Sequence, residues 1–565
     1  MTQAVNDLLE QHFDAAFSAP DGIEKLRELI LTLAMQGKLV EQDPNEPPAS
    51  ELLKEIEAEK LQLVKVGKIK KPKILPTIEQ VDAPYALPES WVWTRLGNIG
   101  NIFNGNSINA NEKESKYTGV DGLPYIATKD VGYGHDALDY KNGIYIPESE
   151  GKFKVARQGS VLICAEGGSA GRKCGIAELD ICFGNKLFAN EPCGGIPSKF
   201  ILYLYLSPIF KRFFSEAMTG IIGGVSIAKF LELPVPIPPL GEQYRIVSRL
   251  DDLMARCSAL EKLCKTRAEK RIVVHKAAID KLFDGAENGG PLFIKQYFDE
   301  LYSDRKNITE LRKAILKLAI TGRLSDRLDG DSSADKLLEK VHKERVELKL
   351  KVSHDDRDLE KAIGFEIPKH WRWESLGQIL VFGPKNGYSP KAVDYETSVR
   401  SLTLSATTSG VFIGEHSKFI DADIPSDSHL WLSDGDILVQ RGNSIEYVGV
   451  PAIYRGEPRI FIYPDLMMRL RVSDHINTEY VYYVMSSEPS RSFLRSHASG
   501  TSGTMPKINQ KVLTGLPIPL PPIEEQLRIV NNIKRLLDLC DVVEEKIEIL
   551  NSKQSELLGS VVAQV

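Results

Sequence analysis

The chain carries the same frame twice. Residues 26–39 (LRELILTLAMQGKL) return as residues 311–324 (LRKAILKLAITGRL), each matched 285 positions later, and the same offset pairs Phe13-Asp14 with Phe298-Asp299 and Leu52-Leu53 with Leu337-Leu338. No other feature limits the fold as strongly, because a duplicated frame demands two similarly built units. A second element, Leu87 to Trp93 (LPESWVW), returns as Ile367 to Trp373 (IPKHWRW). A third, Leu233 to Val247 (LPVPIPPLGEQYRIV), returns as Leu516 to Val530 (LPIPLPPIEEQLRIV). Between this entrance and this exit the copies diverge, and their offset drifts from 280 at the tryptophans to 276 near Gly159 and Gly435, then to 283 at the prolines. Equivalent scaffolds with unlike contents are what two modules with different targets would need.

Beyond the exit prolines, apolar residues recur at alternating spacings of four and three. They are Ile246, Leu250, Leu253, Cys257, Leu260 and Cys264 in the first copy, and Ile529, Ile533, Leu536, Cys540, Val543, Ile547 and Leu550 in the second. That spacing makes a coiled-coil seam, and proline suits a helix start. An amphipathic helix laid on a globular core is the other reading. The segments around 26–37 and 311–322 are also helical by periodicity, each closed by a glycine suited to a left-handed cap, and are natural partners for the long helices. The chain opens with a partner helix and closes with a long one, so the repeat is circular and its first and last segments should pair.

The spans 87–233 and 367–516 hold short apolar runs such as residues 159–163 (GSVLI) and 435–439 (GDILV), punctuated by Gly, Asn and Pro. They read as strand-rich modules. The predicted class is mixed α/β: an N-terminal helical segment and linker over 1–85, a module over 86–238, a helical spacer and linker over 239–365, a second module over 366–521 and a terminal spacer helix over 522–565.

At 565 residues the chain has room for about three or four units, and its 42% hydrophobic and 26% charged content is that of a globular protein. No apolar run reaches the roughly 18 residues of a membrane span, and Met1 to Glu10 are polar or acidic rather than a basic leader, so a cytoplasmic location is expected. Cys164, Cys174, Cys182 and Cys193 form no C-x-x-C pair, which favours buried reduced thiols over a disulfide framework or zinc ribbon. The net charge of −6 argues against a stand-alone nucleic-acid binder, because phosphate neutralisation supplies most non-specific affinity. Screening nevertheless confines charge to about 10 Å, so basic faces can coexist with acidic helices, or a partner can supply them. The lysine-rich run from Lys65 to Lys73 is either a solvated stretch or a contact to DNA backbone.

Catalytic signatures are missing. No G-x-x-x-x-G-K-[ST] loop occurs, and Gly167 to Lys173 (GGSAGRK), the nearest approach, has the wrong order. The pairs Pro47-Pro48, Pro238-Pro239 and Pro521-Pro522 lack the flanks of an amino-methyltransferase pocket. The ten histidines show no metal-ligand spacing, and a lone one such as His275 reads as a surface or satisfied residue. A nuclease or glycosidase hidden in one module has no motif behind it.

With two entrances, two exits and two glycine-closed helices in order, essentially the whole chain resembles the DNA-specificity subunits of type I restriction-modification enzymes. The resemblance implies two target recognition domains, each reading one half of a split, asymmetric site, joined by long antiparallel coiled-coil helices that fix the gap in a pseudo-two-fold circular repeat. It implies no catalysis in this chain. The implied partners are double-stranded DNA, two methyltransferase subunits carrying S-adenosylmethionine, and restriction subunits that use ATP and Mg, with no cofactor or metal here. The alternative is a protein-interaction scaffold that reads no DNA. In one departure, the first helical segment precedes the first recognition domain, where many members begin directly at the entrance.

Arg441-Gly442-Asn443-Ser444 follows the strand at 436–440 and resembles a recurring family pattern; Arg and Asn pair bidentately with guanine and adenine edges. A surface salt bridge and an asparagine turn are the competing readings. The 276 offset puts Ala165 and Glu166 where the second module has Arg441 and Gly442, so the halves should prefer different bases. Polar glycine-rich loops at 220–226 and 500–504, the latter holding Thr501 and Ser502, precede Lys229 and Lys507 and could approach phosphates; ordinary flexible loops are as compatible. Charge and loop context add Lys129, Arg172, Lys173 and Lys186 in the first module, and Lys385, Arg400 and Arg455 in the second.

Overall fold

The computed structural model describes residues 19–78, 83–134, 136–219, 223–283, 290–351, 358–500 and 505–563. The chain divides into two compact units, Met1–Arg267 with Leu550–Val565, and Ala268–Ile549. In the first unit α1 (Gly22–Met35) and α2 (Ala49–Lys65) precede the module, α3 (Ser198–Leu206) and α4 (Pro208–Ala217) lie within it, and α5 (Leu240–Phe283) leaves it. The second repeats this order with α6 (Arg305–Ile320), α7 (Ala334–Glu347), α8 (Thr478–Ser486), α9 (Glu488–Ser496) and α10 (Ile523–Ala563). Both unit boundaries fall inside a long helix, so α5 and α10 each begin in one unit and end in the other. No described helix is long and apolar enough to cross a membrane.

The first frame is built on α1. Its apolar stripe buries Ile30, Leu31, Ala34 and Met35 in one core with Ile246, Leu250, Met254 and Cys257 of α5. The two helices run antiparallel: Arg27 reaches Glu261 at 2.8 Å near the start of α1, and Gln42 reaches Glu242 at 2.6 Å beyond its end. Gly37 closes α1 at φ +70° while Lys38 N donates to Leu33 O, the hydrogen bond of a left-handed cap. Pro88 and Trp91 sit so close to this cap that a Cβ on Gly37 would fall 2.5 Å from Pro88 Cγ and 3.2 Å from Trp91. The buried Trp91 Nε1 donates to Glu242 Oε2 at 2.9 Å. Burial raises the Glu242 carboxyl above the usual carboxylate range, and the donors Trp91 and Gln42 pull it back. Gln243 Nε2 donates to Pro238 O, and β1 (Val92–Arg95) pairs antiparallel with β10 (Pro234–Ile237). Entrance and exit are thus one joint.

The second unit repeats the joint, with Ser325 and His370 meeting Glu525 where Gln42 meets Glu242. Gly322 has φ +70°, with Pro368 Cγ 2.3 Å from its ideal Cβ position. Trp371 Nε1 donates to Glu525 Oε2 at 3.1 Å, Gln526 Nε2 to Pro521 O, and β11 (Arg372–Ser375) pairs with β19 (Pro517–Leu520). Arg245 with Glu46, and Arg528 with Asp331, tie each long helix to the segment after its partner. Arg528 pulls the Asp331 carboxyl down to about 2. A second repeated brace was not foreseen: buried Lys60 donates to Gly97 O at 2.7 Å, and buried Arg345 to Gly377 O at 2.9 Å. Burial pushes Lys60 down to about 8.

Each joint carries a module of two small sheets. In the first, β2 (Gly100–Asn104), β9 (Leu187–Pro192), β6 (Val161–Cys164) and β7 (Cys174–Ile176) form an antiparallel sheet in that order. The other sheet orders β4 (Tyr145–Ile146), β3 (Leu123–Ile126), β8 (Ile181–Phe183) and β5 (Val155–Ala156). In the second module β12 (Leu380–Asn386), β18 (Met467–Val472), β15 (Ile437–Gln440) and β16 (Pro451–Ile453) match the first sheet, while the other has three strands: β14 (Ser417–Phe419), β13 (Arg400–Leu402) and β17 (Phe461–Ile462).

Three expectations are amended. The seam ends early, because Leu260, Cys264 and Leu550 are exposed. The partner helices are short: Arg27 near the start of α1 already meets Glu261, and Arg305 at the start of α6 meets Glu544 and Glu548. Cysteine burial holds for six of seven, Cys264 being the exception, and burial pushes the Cys174 and Cys182 thiols up to about 12 and about 11. Of the two readings of His275, surface or satisfied, the second holds at one ring nitrogen. The ring is buried against Tyr302, 2.9 Å from its hydroxyl, with Nδ1 unpartnered among the described residues. Circular closure is visible within the first unit, where Ser555 Oγ donates to Asp21 Oδ1 at 2.7 Å.

Two outcomes follow from this architecture. Gly67 has φ +72° with nothing near its Cβ position, so Gly67→Ala should cost about 1–2 kcal/mol of strain, whereas Gly37→Ala should cost about 1–3 kcal/mol more by displacing Pro88 and Trp91; denaturant unfolding of the two variants measures the gap. Burial lowers the His275 pKa, with Glu310 opposing weakly, so the folded state holds this ring neutral. The unfolded chain then binds more protons below its ordinary value of about 6.5, and stability should fall as pH drops through that value. His275→Leu, which copies the buried Leu558 at the matching place in α10, should flatten the acid limb of the melting temperature against pH.

Candidate nucleic-acid interface

The C-terminal end of β15 gathers four of the second module's predicted residues. Arg441 N and Gly442 N both donate to Leu466 O, Ile508 N donates to Arg441 O, and Gly442 bridges to Lys507. The Lys507 side chain lies across Gly442, its Cγ 3.1 Å from where a Cβ would stand. A side chain there would have to push Lys507 and Leu466 aside by a few tenths of an ångström. Arg441, Asn443, Ser444 and Lys507 therefore share one edge. Arg441 is half-buried, and among the described residues its side chain makes one long bond, Nη1 to Asp465 O at 3.4 Å.

Asn443 is held from beneath by a residue that sequence reasoning missed. Its Nδ2 donates to Gln440 Oε1 at 2.6 Å and its Oδ1 accepts from Ser444 N at 2.7 Å, which leaves one N–H and one lone pair uncommitted among the described residues. Gln440 is fully buried, and its Nε2 donates to Leu404 O, Thr407 Oγ1 and Thr408 Oγ1. Its only sequence signal was a polar residue ending an apolar strand. A second missed pair is Gly105 and Gly387, each with its ideal Cβ position 2.0 Å from a carbonyl oxygen, of Phe183 and Tyr463 respectively. Both lie just past the edge strands β2 and β12, at the same rim.

The other second-module candidates are not brought together. Lys385 is exposed on β12 opposite Arg469. Arg400 belongs to the three-stranded sheet, with Phe419 and Phe461 ring centres 5.3 and 5.6 Å from its guanidinium. Arg455 is spent on Asp434 and Glu479. Thr501 and Ser502 lie outside the described residues.

In the first module the same rim has different chemistry. Ala165 N donates to Lys186 O and Val225 N to Ala165 O, copying the bonds of Arg441, and Glu166 bridges to Gly224. Glu166 and Lys186 are exposed here. Lys173 Nζ donates to Thr128 O beside exposed Lys129 and sits 5.6 Å from the Tyr133 ring centre; Arg172 precedes it on the loop. Lys229 is not the counterpart of Lys507, whose place Gly224 takes; Lys229 lies in a short helix capped by Ser226.

Residues 88–270 and 412–552 match the family model described as type I restriction modification DNA specificity domain. The chain belongs to this family. Across 95% of its length it is 31% identical to the type I restriction enzyme EcoEI specificity subunit and 32% identical to the EcoAI specificity subunit, both of Escherichia coli, covering 92% of each. A chain solved in work on the assembly of the type I R-M system aligns over 85% of this chain and 99% of its own, at 17% identity and a TM-score of 0.49. The type I specificity frame here thus presents one rim that is basic and amide-bearing and one that is acidic at its centre. Gln440→Leu in this specificity chain should cost about 1–3 kcal/mol by stripping partners from Asn443 and the 404–408 turn. Denaturant unfolding gives the cost, and faster amide exchange at Asn443 and Ser444 would locate it.

Proposed function

We propose that this specificity chain is the non-catalytic DNA reader of a type I restriction-modification complex. Each module reads one half of a bipartite, asymmetric site in duplex DNA, and the long helices set the gap and dock two methyltransferase subunits. Those subunits hold S-adenosylmethionine, and restriction subunits use ATP and Mg. The carrying observation is the pair of equivalent rims with unlike side chains: Arg441, Asn443 and Lys507 in one, Glu166 and Lys186 in the other. A guanidinium and a preset carboxamide suit base edges in the major groove, whereas a carboxylate in the same place suits the amino group of cytosine. Reading by two independent edges gives an asymmetric, split target.

Methylation mapping of the assembled complex tests this reading. Exchange of residues 87–233 for another family member's module should alter one half of the target and leave the other intact. Four residues inserted near Lys270 lengthen α5 by about 6 Å, against about 3.4 Å per base pair, so the gap should grow by about one or two base pairs with the read bases unchanged. Both halves changing together, or a constant gap, would overturn it, and a complex without sequence preference would instead favour a protein-interaction scaffold.

A further inference from the structure

The modules also differ in the loop that follows the third strand of each first sheet. A glycine closes that loop in both, with Gly171 N donating to Cys164 O and Gly449 N to Gln440 O. Both glycines abut the helix behind, at Phe214 of α4 and Leu494 of α9, which sets the two helices in register and places Lys211 where the second module has Arg491. The loops themselves are unequal: 165–170 is two residues shorter than 441–448. In the second module the longer loop turns the Glu446 carbonyl inward, and buried Arg491 donates Nη2 to it at 2.9 Å.

In the first module the shorter loop leaves the space unfilled. A cavity of about 500 Å³ is lined there by Gly168, Gly171, Arg172, Lys211, Phe214 and Met218. Among the described residues, neither the Arg172 nor the Lys211 side chain has a carboxylate or carbonyl partner, whereas neighbouring Lys173 is spent on Thr128 and Arg212 on Glu216. Two unpartnered cations over a glycine-lined hollow favour a ligand with several anionic oxygens, since glycine lets it come close and both cations are strong donors to phosphate. Gly167 and Gly223, the chain neighbours of the bridged pair Glu166 and Gly224 at the rim, line the same cavity.

We propose that this cavity seats a backbone phosphate of duplex DNA at the half-site of the first module, gripped by Lys211 and Arg172, and that the second module has no such seat because Arg491 is consumed by the Glu446 carbonyl. The proposal rests on the first module being a DNA reader. Its test is the salt dependence of duplex binding by the full chain assembled with methyltransferase subunits. Lys211→Met and Arg172→Met, both at exposed positions, should each weaken cognate and non-cognate DNA alike. Each should also lower the slope of log affinity against log salt by about 0.9, so that the ratio of wild-type to variant affinity shrinks about 3-fold between 50 and 200 mM salt. A methylphosphonate walked along the first half-site should reproduce the loss at one position in the wild type and add less at that position in Lys211→Met. Unchanged slopes, or a loss confined to cognate sequence, would overturn the phosphate seat while leaving DNA reading intact. Stronger competition by inorganic phosphate against the wild type than against Lys211→Met, at constant ionic strength and with no methylphosphonate effect, would assign the cavity to a free anion instead. Absence of any cognate preference in the wild-type complex would remove the underlying reading and the proposal with it.

Discussion

Each half of this chain depends on one buried hydrogen bond, from a tryptophan at the module's entrance to a glutamate at the start of its exit helix. Trp91 with Glu242 and Trp371 with Glu525 bring together residues more than 150 positions apart. A charge-assisted bond contributes about 1.5–3 kcal/mol net, but leaving a buried carboxylate unpaired costs more, so the pair tolerates no half-measures. Around it the rest falls into place: the capping glycine admits the proline and tryptophan, the glutamine after the glutamate satisfies a proline carbonyl, and the entrance strand pairs with the exit strand. Once the two ends of a module are pinned, what lies between them is free to change.

That freedom is visible in the sheets. The four-stranded sheet keeps its strand order in both modules, while the second sheet has four strands in one and three in the other. At the rim, identical backbone bonds carry Arg441 in one case and Ala165 in the other. The net charge of −6 does not describe this surface, because acidic residues are committed locally: Asp436 is fully buried between Arg469 and Arg471, and Glu544 holds Arg312. A basic edge can then act over its own few ångströms.

The family match also accounts for which expectations survived. Motifs that repeat were legible because both copies obey the same geometric demand. Candidates inside the modules were chosen from charge and turn context, which carry no information about partners, so Arg400 turned out to lie among aromatic rings and Arg455 in ion pairs.

By itself, the sequence determined the duplication, the glycine caps, the pairing of short and long helices, the strand-rich modules and the family. These rest on local chemistry: a cap needs positive φ, a seam needs spacing of four and three, and a repeat declares itself. Only the tertiary structure decided that Gln440 holds Asn443, that Gly224 and not Lys229 answers Lys507, where the seam stops, and which cations remain unspent. Those facts depend on which distant residue arrives beside a side chain, and no periodicity along the chain encodes that arrival.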